Sequence, residues 1–297
     1  MTSGILLVDK PDGMTSHDVV SRVRKLAGTR KVGHAGTLDP MATGLLILGL
    51  DSSTRLLTYL VGLDKEYVAT IRLGFATTTD DREGDPVGPV ADTSAITMEA
   101  VAAAIAPLTG SIMQVPSSVS AIKVDGKRSY ARVREGEEVA LPARAVTVSA
   151  FELLERRGDE LDVRVECSSG TYVRALARDL GSSLGVGGHL TALRRTRVGP
   201  FSVSEAGQLG DELIASQLGA ASVARRLFPV VELDAAEALA LSQGKRIRPA
   251  TLEVELANHA TPIAALTVDG RLAGLISTTD GVAKVLVNFP TEEVLPA

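Results

Sequence analysis

The chain has 297 residues, of which 45% are hydrophobic and 23% are charged, and its formal net charge at pH 7 is −5. This length suits one large and one small domain, with ample apolar material for a core. Cys167 is the single cysteine, which excludes an intramolecular disulfide, a cysteine zinc cluster and a Cys-x-x-Cys redox pair. Residues 1–10 lack the features of a signal peptide, and no apolar stretch could span a bilayer, so we expect a soluble cytoplasmic protein.

Apolar periodicity predicts four elements in the first quarter of the chain. Cap-type residues at 15–18 precede apolar residues at helical spacing over 19–26, which predicts a helix. The wholly apolar run 45–48 is typical of a buried strand. Residues 52–54 precede a second predicted helix over 56–61, and strict alternation over 67–73 predicts a strand.

Between the first helix and the buried strand lies a loop with one carboxylate, Asp39, which Pro40 follows directly. Proline biases the preceding residue towards an extended conformation, and the glycines at 33, 36 and 44 let a ligand approach the backbone. The pattern favours a rigid mount for Asp39, although most short Asp-Gly loops are surface turns. The spacing matches neither a Walker loop nor a dinucleotide fingerprint.

Apolar periodicity also predicts the helices and strands of the rest of the chain. The pattern predicts a helix over 97–106, strands over 145–153 and 161–167, and a helix beginning near Val173. Composition shifts near Phe228, after which a short helix is predicted over 234–241. Asp-Gly pairs at 269–270 and 280–281 lie between apolar runs, which predicts two successive hairpins.

Charge is distributed unevenly, although the net value argues mildly against nucleic acid as a partner. Basic residues concentrate in four segments that contain few or no acids: 19–38, 121–134, 194–197 and 245–248. Ordinary solvated faces would explain any one of these segments. Four together favour a basic RNA-binding front and an acidic back.

The whole string from 33 to 46, Gly-His-Ala-Gly-Thr-Leu-Asp-Pro-Met-Ala-Thr-Gly-Leu-Leu, resembles the nucleophile motif of bacterial tRNA pseudouridine-55 synthases, the TruB family of pseudouridine synthases. Four further segments match the family in order: Lys10-Pro11 to Val20, Lys65-Glu66-Tyr67, Gly170-Thr171-Tyr172-Val173-Arg174 and Leu193-Arg194-Arg195-Thr196.

The resemblance implies an α+β fold with a mixed, largely antiparallel central sheet. It implies a catalytic domain over 1–230, with an RNA-gripping insertion at about 111–140, and a small all-β, PUA-like RNA-binding domain over 231–297. Many family members carry an aromatic residue in the insertion where this chain has Val119.

The family reaction breaks the C1′–N1 bond of uridine, turns the uracil and rejoins it to the ribose through C5. The resemblance assigns the nucleophile to Asp39, and whether it attacks the ribose or the uracil stays open. Arg174 is implied as the guanidinium that keeps this carboxylate charged, with Asp81 as a second acidic partner. Because the reaction is redox-neutral, no cofactor is expected, and no metal site is expected either.

Other site residues also follow from the resemblance. Tyr67 is implied to stack on the flipped uracil and to take part in catalysis, and Tyr172 and Leu193 to line the same pocket. His34 is implied to fill the space that the extruded base leaves. Three basic residues of the insertion are implied to grip the RNA: Lys123, Lys127 and Arg128.

The implied function is isomerisation of uridine 55 in the T loop of tRNA by base flipping, performed by a monomer without an obligate protein partner. Three alternatives stay open. The protein could act as a tRNA-folding chaperone, as an RNA-guided relative in a ribonucleoprotein, or as a glycosidase-like hydrolase. The RNA-guided class carries terminal extensions that this chain lacks before Ile5, and the hydrolase needs a second carboxylate, for which only Asp81 is available.

Overall fold

The computed structural model describes residues 3–117, 141–259, 261–290 and 293, together with the backbone of 123–124 and 127–128. In chain order, strands β1–β13 are Gly4–Lys10, Val32–His34, Thr43–Leu50, Lys65–Leu73, Ala76–Thr77, Pro86–Val87, Gly110–Gln114, Lys123–Val124, Lys127–Arg128, Arg144–Arg157, Glu160–Cys167, Gly188–Val198 and Phe201–Ser202. Within the described residues, β5–β6 and β8–β9 form separate small hairpins, and the other nine strands form one sheet.

The order of that sheet is β1-β3-β12-β4-β11-β10-β7, with β2 beside β3 and β13 beside β12. Strands β3 and β12 run parallel, whereas the other described pairs of this sheet are antiparallel. The predicted mixed, largely antiparallel α+β fold is therefore confirmed. The parallel pair sets Gly44 against Arg195, so the loop before β3 lies beside β12.

The described helices of this unit are Ser16–Ala27, Leu57–Val61, Met98–Ile105, Val173–Ser183 and Ala220–Leu227. The first begins at a capping box between Thr15 and Asp18, as the cap-type residues predict. The second is present within one residue of its predicted range, and a 3-10 segment that was not predicted, Asp51–Leu56, precedes its single α-helical turn. The Thr54 hydroxyl donates to the Asp51 carbonyl, a local bond that competes with regular helix.

The start of the expected insertion belongs to the central sheet. Strand β7, Gly110–Gln114, pairs with β10 at the sheet edge, so any insertion follows residue 114. Val119 and the side chains of the three basic residues expected to grip RNA lie outside the described residues.

The C-terminal unit is a second sheet with the order β14-β15-β16-β17, formed by Val230–Leu233, Ile263–Thr267, Leu272–Thr279 and Val282–Asn288. Both Asp-Gly turns join antiparallel strands as predicted. Asp280 and Gly281 have φ values of 48° and 73°, the positive pair that a tight hairpin turn requires. The predicted helix is present as Ala235–Ser242, capped by Asp234.

One face of the central sheet, at β1 and β3, shares an apolar cluster with helix Ala220–Leu227 and the C-terminal unit. Ile5 and Leu7 of β1 pack into the same apolar cluster as Ile263 and its neighbours, whereas Leu6 and Val8 face the opposite core. Strands β1 and β3 are thus buried on both faces, which explains the wholly apolar run in β3. Within the described residues no helix combines the length and apolar character needed to cross a membrane.

Candidate active site

The loop that carries Asp39 is held by two buried polar side chains from the N-terminal part of the chain. The fully buried Lys10 ammonium donates to the carbonyls of Pro40 and Pro11, at 3.1 and 2.9 Å, and to that of Met14. The Ser16 hydroxyl accepts from the Leu38 amide at 2.8 Å and donates to the Leu38 carbonyl at 3.0 Å. The residues on either side of Asp39 are therefore fixed, as expected for a rigid mount.

The other side of the loop packs against β12. The buried Arg195 guanidinium donates to the carbonyls of Leu45 and Gly36, at 2.7 and 3.1 Å, and so joins the two ends of the loop. At Gly44 φ is 96°, and a Cβ there would lie 2.3 Å from the Arg195 carbonyl oxygen. Glycine is required at this position both for its conformation and for the close approach of β12.

We therefore expect Gly44→Ala to lower the free energy of unfolding by roughly 3 kcal/mol or more, through combined backbone strain and steric overlap. Gly88→Ala is the matched control, because φ is 77° there but nothing lies within 4 Å of the added Cβ. The control isolates the conformational cost, about 1 kcal/mol. Urea denaturation of both variants measures the difference, and equal losses would show that β12 does not confine the loop.

A buried arginine joins the Asp39 loop to a second acidic loop. Arg174 Nε lies 2.9 Å from Asp39 Oδ2 and 3.5 Å from Asp81 Oδ2, and its Nη1 donates to the Thr79 carbonyl at 2.9 Å. The side chains of Arg174 and Asp81 are 5% and 4% exposed, whereas that of Asp39 is 36% exposed. The predicted ion pair is present, with the guanidinium buried behind a carboxylate that is open at its outer side.

The backbone that orients Arg174 is itself fixed by a buried amide. Gln114, at the end of β7, accepts from the Tyr172 amide at 2.9 Å and donates to the Tyr172 carbonyl at 3.0 Å. Tyr172 is the cap residue of helix Val173–Ser183, so this pair of bonds fixes the turn from which Arg174 projects. One turn later, Arg178 lies 3.3 Å from Asp80.

Asp39 and Arg174 line a cavity of about 250 Å³. Three residues implied by the family resemblance line it as well: Tyr67, Tyr172 and Leu193. Burial raises the pKa of the Tyr67 hydroxyl, an effect that the neighbouring Arg195 guanidinium partly opposes. The cavity thus combines one accessible carboxylate, aromatic and apolar walls, and buried positive charge.

Two other implied residues lie outside the lining of this cavity. His34 ends strand β2 and is partly buried, which lowers the pKa of its imidazole. The Asp81 carboxylate accepts from the Thr79 hydroxyl and from the Glu83 amide as well as facing Arg174. Its surroundings suit a partner of the arginine. Within the described residues, no cluster of three or more His, Cys, Asp or Glu side chains is arranged to hold a metal.

Two cavity residues were missed as site residues by the sequence analysis. Lys65 and Arg195 both line the cavity, at 5% and 1% exposure. Burial, assisted by repulsion from Arg195, lowers the pKa of Lys65 to about 8. The alternation of β4 could have indicated Lys65, because it shares the buried face with Tyr67.

The expectation of a basic surface at 194–197 is wrong. Arg194 lies 2.8 Å from Asp9 and Arg197 lies 2.7 Å from Asp64, while Arg195 is buried. Acids from distant parts of the chain therefore neutralise the two outer arginines. By contrast, five basic residues of the 19–38 segment are exposed and form no ion pair with any part of the chain that the structure describes: Arg22, Arg24, Lys25, Arg30 and Lys31.

Comparison with known families accounts for nearly the whole chain. The profile of the TruB family pseudouridylate synthase N-terminal domain matches residues 24–173, which is just over half of it. The chain belongs to the TruB family. Two further profiles match beyond that domain, the tRNA pseudouridylate synthase B C-terminal domain at 174–231 and the tRNA pseudouridine synthase II C-terminal domain at 228–290. The nine-stranded sheet continues past the first of these boundaries to β13.

Proteins named tRNA pseudouridine synthase B are similar to this TruB-family chain over nearly its full length. The protein from Leifsonia xyli subsp. xyli is 59% identical, over 98% of each chain. The one from Arthrobacter sp. (strain FB24) is 55% identical, over 99% of each chain.

Solved structures agree on the fold. A chain in the crystal structure of a Cbf5-Nop10-Gar1 complex superposes with a TM-score of 0.74 at 25% identity, covering 98% of this chain and 86% of that one. A chain in the archaeal box H/ACA sRNP Nop10-Cbf5 complex superposes with a TM-score of 0.72 at 23% identity, covering 99% and 88%.

Proposed function

We propose that this TruB-family protein converts uridine to pseudouridine at position 55 in the T loop of tRNA, with Asp39 as the nucleophile. The observation that carries the proposal is the Asp39–Arg174 ion pair, whose carboxylate opens into a cavity beside Tyr67. The guanidinium 2.9 Å away orients the Asp39 carboxylate and places a positive charge beside the group that would attack carbon. The names of the similar proteins support tRNA as the substrate.

The cavity accepts the uracil only after the nucleotide has left the loop of the RNA. Extrusion costs a few kcal/mol, and stacking on an aromatic ring such as that of Tyr67 returns about 1–3 kcal/mol. Tyr172 and Leu193 confine the base while it turns. We infer that His34, at the start of the loop, occupies the space from which the nucleotide was withdrawn.

Phosphate contacts supply the remaining affinity, since stacking and extrusion nearly cancel. The exposed basic residues of the 19–38 segment suit this task because they have no acidic partners within the described chain. Lys123, Lys127 and Arg128 are the further candidates from the insertion. We also infer that the C-terminal unit is a PUA-like RNA-binding domain.

We expect purified protein, without any added cofactor, to place pseudouridine at position 55 of a tRNA transcript. Mass-spectrometric mapping tests this, with a transcript carrying cytidine at position 55 as the control substrate. Pseudouridine at another position would refute the assigned site. Release of free uracil would instead identify a hydrolase.

We further infer that the enzyme works as a monomer in the cytoplasm, where tRNA is found, without an obligate protein partner. Light scattering of the protein alone and with tRNA measures the stoichiometry. Activity that required a second protein would contradict this inference.

A further inference from the structure

Tyr67 has a positively charged side chain on either side of it in the cavity. Lys65 precedes it by two residues on the buried face of β4, and Arg195 is its partner across the β12–β4 ladder. Side chains paired in this way point to the same face of a sheet, and all three line the cavity. Lys65 and Arg195 are 5% and 1% exposed.

Both cations bind neutral oxygens. The Lys65 ammonium donates to the carbonyls of Val61, at 2.6 Å, and Leu63, and the Arg195 guanidinium donates to those of Gly36 and Leu45. Within the described residues neither cation forms an ion pair. The flanking arginines of β12 differ in this respect, because Arg194 pairs with Asp9 and Arg197 pairs with Asp64.

A buried charge without a counterion is unfavourable, and two of the same sign repel each other. Burial, with this repulsion as the smaller cause, lowers the pKa of Lys65 to about 8. The Asp39 carboxylate of the same cavity faces Arg174 at 2.9 Å. An arrangement that is unfavourable in the empty cavity becomes favourable when negative charge forms next to it.

The proposed reaction generates such a charge by either of its open routes. If Asp39 attacks C1′, the C1′–N1 bond breaks and its electron pair leaves with the uracil, which becomes an anion. If Asp39 adds to C6 instead, the C5=C6 electron pair moves through the ring to O4. In the first route C5 of the turned uracil then bonds to C1′ and displaces Asp39 as a free carboxylate. In the second route the C1′–N1 bond breaks, C5 bonds to C1′, and Asp39 leaves C6 as C5 loses its proton. In both routes the proton lost from C5 is balanced by one gained at N1, without net oxidation.

We propose that Lys65 and Arg195 stabilise the negative charge that develops on the uracil, either while it is detached from its ribose or while Asp39 is bonded to its C6. The inference rests on the proposed function and deepens it. Arg195 also joins the two ends of the Asp39 loop, so its replacement disturbs the nucleophile as well. Lys65 therefore provides the cleaner test.

We expect Lys65→Met to slow single-turnover pseudouridine formation roughly 100-fold at saturating tRNA, the loss typical of removing one fixed donor from a developing anion. Affinity for tRNA should stay within about 2-fold, because the side chain is buried and does not reach the RNA backbone. Lys65→Arg, which keeps the charge, should retain most of the rate. Lys284→Met is the matched control, since Lys284 is exposed on β17 of the C-terminal sheet.

The pH dependence gives a second measurement. Groups that act on Lys65 are Arg195, Asp64 and the buried Cys167, whose thiol pKa burial raises to about 11. The parent rate should fall as the pH rises through about 8, where Lys65 loses its proton. The Lys65→Arg variant should hold its rate there, because a guanidinium stays protonated.

A Lys65→Met rate within 3-fold of the parent would overturn the inference. So would an alkaline limb that Lys65→Arg leaves unchanged, or a slow Lys65→Met variant that loses thermal stability and tRNA affinity in parallel. In each of these outcomes the parent protein is still active and the Asp39→Asn variant is still inactive, so the proposed function stands. A parent that forms no pseudouridine would instead refute the proposed function itself.

Discussion

Asp39→Asn is expected to abolish pseudouridine formation, with a fall in single-turnover rate on the order of 10⁴-fold or more, while tRNA affinity stays close to that of the parent. The amide has the size of the carboxylate but cannot attack carbon. Binding survives because phosphate contacts elsewhere supply most of the affinity. Digestion of the tRNA and chromatography of its nucleosides measure the rate, and filter binding measures the affinity.

Asp269→Asn is the matched control, because Asp269 pairs with Arg271 in a hairpin turn of the C-terminal sheet. Full activity in the Asp39→Asn variant would refute the assignment of the nucleophile. The same variant separates catalysis from a chaperone role. If it still accelerates the refolding of tRNA, the two activities are independent.

Arg174→Ala is expected to reduce turnover by about 10³-fold and to change tRNA affinity much less. Its loss removes the guanidinium from Asp39 and also leaves the Asp81 carboxylate buried without this partner. Arg174→Lys should recover part of the rate, because a single ammonium cannot reproduce the guanidinium contacts to both carboxylates and to Thr79.

Arg178→Ala is the matched control for Arg174→Ala. Arg178 lies one turn later on the same helix, pairs with Asp80 and Asp179 and is 28% exposed. Turnover of this control should stay within about 5-fold of the parent, since Arg178 neither pairs with Asp39 nor lines the cavity. Turnover for Arg174→Ala that matches that of the parent would show that the ion pair does not activate Asp39.

Sequence patterns predicted the strands and turns that depend on residues close together in the chain. The alternation of β4 reflects one buried face, and the Asp-Gly pairs mark turns that need positive φ. Asp39 and Arg174 were implied by motif resemblance, and their contact could not come from spacing alone because 135 positions separate them.

The pairing register between strands determines which basic side chains are buried, and this could not be predicted from the sequence. Arg195 belongs to a run of three arginines within four residues, which resembles a solvated basic patch. It is buried because β12 places it opposite Tyr67, and its neighbours are neutralised by Asp9 and Asp64. Likewise, the burial of the second face of β1 and β3, in an apolar cluster shared with helix Ala220–Leu227 and the C-terminal sheet, depends on contacts between residues far apart in the chain.

The central claim is that the extruded uridine enters the cavity beside Asp39. Its most direct test is a crystal structure of the Asp39→Asn variant, which should bind without turning over, in complex with a tRNA T-arm. We expect the uracil of position 55 to stack on Tyr67, with its ribose C1′ or ring C6 within about 3.5 Å of the residue 39 side chain. A uridine that remained stacked in its loop, or that occupied another part of the protein, would contradict the account.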